Sequence, residues 1–352
     1  MRNQRELTLR IKQLAAEAGF ELAGVARAVE APDWHRYADW ASRGLAGRMS
    51  YLSGHRASVR QSPGNLLPSA RSLICVGKLY NSPFPYSTTL TDPDRAWISR
   101  YAWGDDYHVT VRSGLENLAR QIAAEVAFDY RICVDTAPLL ERTYAREAGL
   151  GWIGKNTCLI NQQQGSWFFL GEMLVSLDLE PDEAPPDRCG TCSRCILACP
   201  TEAIVPSPQG GWELDARLCI SYFTIELRGA IPEEQRRGLS HHIFGCDICQ
   251  DVCPWNRRAA VTAGPSFAPS TDAHFAPDLE RLAAISPAEF REMFRHTPVD
   301  RARYSGFLRN VAVAMGNSKL SKFLPALDRL ATSPDEVVAG HARWAIGQIT
   351  ES

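Results

Sequence analysis

The sequence predicts a mixed α/β (α+β) chain in three parts, and three observations carry that prediction. Helix-like and strand-like patterns alternate over residues 1–180. Eight of the 11 cysteines fall between Cys189 and Cys253. From Pro287 onward the apolar spacing is helical to the end. A length of 352 residues is ample for more than one core at roughly 150 residues per domain. The boundaries read as 1–180 for an α/β domain, 181–258 for the cysteine-dense segment and 280–352 for a helical domain.

The N-terminal domain opens with Leu7, Ile11, Leu14, Ala15 and Ala18 at helical spacing, ended by Gly19. Phe20–Ala26 follows as a short strand. Pro32–Arg43 sets Trp34, Tyr37 and Trp40 three residues apart on one helix face, a pattern that reads as core packing. Leu73–Leu79 is a buried strand. His108–Phe128 carries Leu115, Leu118, Ile122 and Val126 on one side and forms a long helix. Tyr130–Val134 is again strand-like. Gly151–Asn156 is a glycine-rich turn, and Cys158–Asn161 and Trp167–Leu177 read as two strands around the polar turn Gln162–Ser166.

Residues 181–187 are a Pro-rich acidic linker, and residues 259–278 look irregular. Phe307–Met315, Leu320–Leu330 and Val337–Ile349 are three apolar helices with short connections. Their period is close to the roughly 40 residues of HEAT-like repeats, although an ordinary helical cap has the same pattern.

Composition excludes several classes. Hydrophobic residues at 45% and charged residues at 22% are ordinary globular values and rule out disorder over most of the chain. No apolar run approaches the ~18–20 residues of a membrane span, and Met1–Glu17 lacks a signal-peptide apolar stretch. The expectation is a soluble, cytoplasmic protein with no membrane association. The net charge of −2 leaves nucleic-acid contact to a local patch. Such a patch exists: over residues 291–322 the basic side chains Arg291, Arg295, Arg301, Arg303, Arg309, Lys319 and Lys322 face only Glu292 and Asp300. Only five of the 38 basic residues are lysines, and none but Lys155 lies between Lys78 and Lys319.

The cysteines have ligand spacing. Cys189, Cys192, Cys195 and Cys199, followed by Pro200, form C-x2-C-x2-C-x3-C-P, the run of two-cluster bacterial ferredoxins. In that arrangement three thiolates hold one cluster and the fourth ligates the other. Zinc sites also use C-x2-C pairs but need neither the third cysteine at the same gap nor the proline. Cys246, Cys249 and Cys253, followed by Pro254, repeat the motif without its first cysteine, and Cys219 supplies the missing thiol. Crossing then assigns Cys189, Cys192, Cys195 and Cys253 to one 4Fe–4S cluster, and Cys199, Cys219, Cys246 and Cys249 to a second. Cys75, Cys133 and Cys158 remain as inert thiols in apolar strands. Two clusters make a one-electron relay, which is a small fraction of this chain. A substrate or redox site must occupy the rest.

Asp135 ends a predicted strand, where α/β proteins gather ligands. A carboxyl group there, in a partly apolar cavity, would have a raised pKa and act as an acid. The position before Pro138 equally suits a helix cap. Gly149, Gly151 and Gly154 do not form a dinucleotide fingerprint, and there is no P-loop.

The segments RYAWGDDYH (100–108), VDTAPLLERTYAREAGLGWIGKN (134–156), GSWFFLGEML (165–174), CGTCSRCILACPTEAI (189–204), LCISYFTIELRG (218–229) and GCDICQDVCPWN (245–256) together resemble the epoxyqueuosine reductases. The likeness runs from the first helix to the helical tail. It implies a cobalamin-dependent iron–sulfur enzyme with a catalytic domain like that of reductive dehalogenases. The implied reaction is reduction of epoxyqueuosine at the wobble position of tRNA, the last step of queuosine synthesis. It makes Asp135 the proton donor. It places cobalamin near Arg60, Tyr101, Asp135, the stretch Lys155–Asn161 with Leu159, then Leu170, and Ser221. No cobalamin motif with an axial histidine is present, so base-off cobalamin is expected, with His108 lining the site or standing behind it. The helical tail becomes a tRNA-binding domain, with Arg301, Arg303 and Arg309 as phosphate contacts. An external one-electron donor and a monomeric state complete the expectation. The competing readings are a dehalogenase-like corrinoid reductase of a small molecule and a ferredoxin-type electron carrier.

Overall fold

The computed structural model describes residues 3–54, 56–262, 264–269, 271 and 274–351. Asn3 and Glu6 close a capping box on the helix Gln4–Glu17, whose buried face is Ile11, Leu14 and Ala15. Gly19, at φ +92°, turns the chain into the strand Leu22–Arg27. That strand pairs with Ser72–Leu79, which pairs with Phe168–Val175, which pairs with Tyr130–Cys133. Every pairing is antiparallel. The mixed class is present, and the antiparallel ladder makes it the α+β form.

Side chains alternate across this sheet. Ile74, Val76, Phe169 and Met173 join the helices Gln4–Glu17 and Tyr107–Ala123 in one core. Leu73, Cys75, Cys133, Phe168 and Leu174 join Tyr144, Ala145 and Ala148 in a second core on the opposite face. Glu172, wholly buried, sits among the residues of that second face. The central strand Phe168–Val175 therefore lies between two apolar layers and carries one carboxyl into the second of them.

Two local expectations are corrected. Leu159–Ile160 pairs with Trp152–Ile153 rather than with the long strand, because Asn161 and Gly165 close a tight turn and the chain leaves for the main sheet. Trp34, Tyr37 and Trp40 form one helix face; Trp34 packs against the second core as expected, but Tyr37 and Trp40 do not. Trp40 donates its indole N–H to the Leu214 carbonyl at 2.7 Å, and Tyr37 stacks beside it. Both rings line a cavity instead.

The cysteine-dense segment holds short elements only, including the hairpin Ile204–Pro206 with Trp212–Leu214 and a π-helical turn over Tyr222–Glu226. The strand His242–Phe244 pairs in parallel with Trp97–Ile98. This ties the segment to the largest core, which contains Trp97, Trp103, Phe244, Phe290, Phe294 and Phe307. The tail consists of the helices Arg303–Ser318, Leu324–Ala331 and Glu336–Thr350, with Val311, Leu327, Val338 and Ala342 facing inward.

Arg309 corrects a further expectation. It is 1% exposed and donates to the carbonyls of Phe223, Leu227 and Gly229 and to Asn310. The π-helical turn leaves carbonyls unpaired by regular helix bonds. A buried guanidinium satisfies the Phe223 carbonyl of that turn and the Leu227 and Gly229 carbonyls just beyond it, and none of its charge reaches a surface phosphate.

Candidate active site

Asp135 follows the strand Tyr130–Cys133 and adopts φ +51°, a left-handed conformation that aspartate tolerates better than most residues. Its backbone N–H donates to Glu141 Oε1 at 2.6 Å. The side chain is thereby aimed away from the sheet, towards the helix Tyr107–Ala123. There His108 Nε2 lies 3.1 Å from Asp135 Oδ2, and His108 Nδ1 lies 2.7 Å from Asp106 Oδ1. Asp106 also caps the helix by accepting the His108 N–H at 3.0 Å. The His108 ring stacks on Tyr107 at 4.1 Å, and Tyr107 stacks on Phe169 at 4.3 Å. The imidazole is thus fixed in plane and direction.

Both ring nitrogens of His108 face carboxylate oxygens. Only the imidazolium can donate to both. Burial opposes that charge, but the hydrogen bonds and charges of Asp106 and Asp135 outweigh it and lift the histidine to about 9. For Asp135, partial burial favours the neutral acid. The His108 hydrogen bond and charge, the Arg301 charge and the Tyr107 hydroxyl reverse this and hold the carboxyl below its usual range. This corrects the raised pKa expected for Asp135. At neutral pH the proton stands on His108 Nε2, in the hydrogen bond to Asp135.

Asp135 stands where two cavities meet. The larger, about 700 Å³, is walled by Tyr37, Trp40, Arg60, Leu139, Ile153 and Lys155, and it runs on to Trp212 and Leu214 of the cysteine segment. The smaller, about 320 Å³, is walled by Tyr51, Arg60, Tyr101, Tyr107, Glu226 and Arg301. A third hollow beside it gathers Arg228, Arg291, Arg301 and Arg303.

Of the residues expected at a cofactor, the structure brings Arg60, Asp135 and Lys155 to the larger cavity and Tyr101 to the smaller. Arg60 also braces its own loop through the Tyr51 and Arg56 carbonyls. Lys155 is further committed, donating to the carbonyls of Gly190 and Cys192 at 2.7 and 2.9 Å. Leu159, Asn161, Leu170 and Ser221 are not in the wall of either cavity. Leu159 is packed in the core, and Leu170 packs against it. Asn161 spends its amide on the Leu150 carbonyl and on the turn that follows. Ser221 lies beside the Cys219 sulfur.

The cysteine thiols gather in two places. Burial, then the neighbouring sulfurs of Cys253, Cys189 and Cys192, push the Cys195 thiol up to about 11. These four line one hollow with Trp255. Burial, then Cys219 and Cys199, raise Cys246, and Cys249 lies by Cys246 and Cys219. Cys195, Cys219, Cys246, Cys249 and Cys253 thus sit where burial and neighbouring sulfurs disfavour ionisation unless a cationic centre compensates, which suits the donor chemistry of an iron–sulfur cluster. Among the described residues no three His, Cys, Asp or Glu side chains converge on a point as a single ion requires. Cys75 and Cys133 are buried in the sheet. Cys158 is not in an apolar strand: its thiol hydrogen-bonds with Cys249.

Sequence reasoning missed Glu141, Glu172 and Tyr107. The motif VDTAPLLER holds Glu141 six residues after Asp135, and that spacing was the available signal. Glu172, a single carboxylate in the otherwise apolar run FFLGEMLV, was another.

Comparison with known proteins agrees with this arrangement. The family model "4Fe-4S double cluster binding domain" matches residues 188–256, and the model "Epoxyqueuosine reductase QueG, DUF1730" matches residues 60–136. The epoxyqueuosine reductase of Xanthomonas campestris is 43% identical over 343 residues, covering 96% of this chain and 95% of the relative. That of Escherichia coli K12 is 37% identical, covering 98% and 90%. A crystal structure of epoxyqueuosine reductase with an epoxyqueuosine-modified tRNA-Tyr stem loop superposes with a TM-score of 0.89 at 30% identity, covering 98% of this chain and 90% of that one. The Bacillus subtilis enzyme, solved with its catalytic aspartate loop swung out of the active site, gives 0.88 at 30% identity, with the same shares covered. By sequence along nearly its whole length and by fold, this chain belongs to the epoxyqueuosine reductase family.

Proposed function

We propose that this chain reduces epoxyqueuosine to queuosine in the anticodon of tRNA, and that the observation carrying the proposal is the His108–Asp135 pair at the junction of the two cavities. The reaction converts an epoxide into an alkene and water, taking up two electrons and two protons. The electrons are supplied when cobalamin, a carrier that accumulates reducing power at cobalt, and two 4Fe–4S clusters are bound.

The chain's residues fit both groups. Tyr37, Trp40, Leu139 and Ile153 offer an apolar and aromatic wall to a large flat ligand, with Arg60 and Lys155 at its polar edge. Cys189, Cys192, Cys195 and Cys253 would hold one cluster and Cys199, Cys219, Cys246 and Cys249 the other. Lys155 fastens the first cluster loop to the cavity wall.

His108 holds the proton needed by the departing epoxide oxygen, and Asp135 Oδ2 accepts from His108 Nε2 and fixes its direction. Transfer to the oxygen runs through Asp135: the Nε2 proton of the imidazolium passes to the carboxylate, the carboxylic acid so formed gives it to the alkoxide, and a second proton, taken from solvent by the neutral His108, follows the same path to complete the water. A positioned acid of this kind contributes about 10²–10⁴-fold. Tyr107 limits its motion by stacking on the ring and bonding Asp135.

The tRNA backbone meets Arg228, Arg291, Arg301 and Arg303, which converge beside the smaller cavity. Arg301 is also paired with Glu226 at 2.7 Å, so it positions the wall as well as contacting phosphate. Contacts there offset the few kcal/mol needed to unstack the modified base. The test is genetic. In a bacterial strain deleted for its own reductase, tRNA accumulates epoxyqueuosine. Expression of this chain is expected to restore queuosine in nucleoside mass spectra, and persistence of epoxyqueuosine with soluble, metallated protein present would contradict the proposal.

A further inference from the structure

Behind Asp135 lies a carboxyl pair that the proton-transfer scheme does not use. Glu172 stands in the central strand, opposite Cys75 on one side and Cys133 on the other. It is 0% exposed, and among the described residues neither of its oxygens receives a hydrogen bond from an N–H or a hydroxyl. The group it meets is the carboxyl of Glu141. Glu141 in turn accepts the backbone N–H of Asp135 at 2.6 Å, in the residue whose φ is +51°.

Glu141 is half-buried in the wall of the larger cavity, and two carboxyl groups in contact, one of them fully buried, cannot both be ionised. Glu172, with no other partner, gains most from keeping a proton, because the protonated acid donates to Glu141 and removes an orphaned buried charge. Glu141 then carries the negative charge against the Asp135 N–H, and a charge-assisted hydrogen bond is the stronger kind. We propose that Glu172 and Glu141 form a one-proton latch that holds the Asp135 loop in its left-handed, inward conformation. They are positioning residues for the proton transfer, and the inference rests on the reading of Asp135 given above.

Burial raises both carboxyls above their ordinary values, Glu172 the further. The latch therefore weakens when pH rises far enough to remove the shared proton. Facing the pair are Cys75 from the second strand, Cys133 and Asp135 from the strand beside it and its loop, and Arg142 from the following helix. Burial lifts the two thiols further, Cys133 to about 12, so they stay neutral through the range that matters. Asp135, held below its usual range, is ionised throughout.

The test is amide hydrogen exchange of the cofactor-loaded full chain, read as the protection factor on peptides spanning residues 134–140 between pH 6 and 10. Wild type is expected to lose protection in the upper half of that range. Glu172→Gln replaces the acid O–H by an amide N–H that still donates to Glu141, so its protection is expected to stay flat with pH. Glu141→Gln keeps an acceptor for the Asp135 N–H and is expected to retain protection at pH 7. Glu141→Met removes it, with protection falling about tenfold or more and kcat falling while KM for tRNA holds. If Glu141→Met does not fold, the two Gln variants decide the matter alone. Wild-type protection that is flat with pH, or a pH-dependent loss identical in Glu172→Gln, would overturn the latch. Exchange needs no substrate, so failure of wild type to reduce tRNA would count against the function and not against the latch.

Discussion

Asp106→Asn isolates the electrostatic half of the proton-donor argument. Asparagine caps helices as well as aspartate does, and its Oδ1 still accepts from the His108 N–H and from Nδ1. The substitution removes only the charge. His108 is held at about 9 against an ordinary 6.5, a difference worth ~3 kcal/mol. With Asp106 neutral, roughly half of that remains through Asp135, which puts the histidine near ~7.7. The protonated fraction at pH 8.5 then drops from ~0.8 to ~0.15, while at pH 6.5 it stays above ~0.9. Single-turnover reduction of epoxyqueuosine tRNA is therefore expected to be nearly wild-type at pH 6.5 and about fivefold slower at pH 8.5. The assay is nucleoside mass spectrometry of quenched time points across pH 6–9.5. An unshifted basic limb, or an equal loss at every pH, would refute the claim that His108 carries the proton. The same linkage fixes the stability sign. A raised histidine contributes fully below ~6.5 and loses its contribution as pH rises through about 9, so the melting temperatures of wild type and Asp106→Asn should converge above that pH.

The other predictions concern cofactors and surface. Cys253→Ala should lose the cluster shared with Cys189, Cys192 and Cys195, leaving about half of the roughly eight irons expected for two clusters; electron paramagnetic resonance showing the other cluster missing would reverse the crossing assignment. Arg301→Ala with Arg303→Ala should weaken tRNA binding and flatten its salt dependence by ~0.7–0.9 for each phosphate no longer neutralised, measured by filter binding at several salt concentrations. Arg309→Ala should instead lower the denaturation midpoint, costing about 3 kcal/mol or more because the carbonyls of Phe223, Leu227 and Gly229 lose their donor. Trp40→Ala should reduce cobalamin affinity by roughly tenfold with tRNA affinity unchanged, as read by equilibrium dialysis.

What was legible in the sequence follows from what each pattern encodes. Cysteine spacing is a covalent ruler, so the gaps pointed to two 4Fe–4S clusters, and the double-cluster family model matches residues 188–256. Alternating and helical periodicities located the four strands of the sheet and the tail helices to within a few residues. Periodicity does not say what an apolar stripe faces, however. Trp34, Tyr37 and Trp40 have the spacing of a core face, yet only Trp34 packs on a core while Tyr37 and Trp40 line a cavity. Charge counting failed at Arg309 for a related reason: a guanidinium reads as surface until the segment 223–229, far away in sequence, presents carbonyls to it. The direction of the Asp135 shift was missed because it depends on His108, 27 residues away, and on Arg301 from the tail domain. Strand pairing went astray at Leu159–Ile160 because short apolar pairs carry too little pattern to choose between neighbours.

The central claim is that this chain, loaded with its cofactors, removes the oxygen of epoxyqueuosine in tRNA by proton delivery from the His108–Asp135 pair. The most direct measurement is anaerobic incubation of the reconstituted protein, a low-potential one-electron reductant and epoxyqueuosine tRNA, followed by nucleoside mass spectrometry, for wild type and Asp135→Asn side by side. The account predicts queuosine from wild type and a loss of about 10²–10⁴-fold in Asp135→Asn, with equal cobalamin occupancy in the two absorption spectra. Equal turnover by both proteins would contradict the role of Asp135, and no queuosine from fully loaded wild type would contradict the function itself.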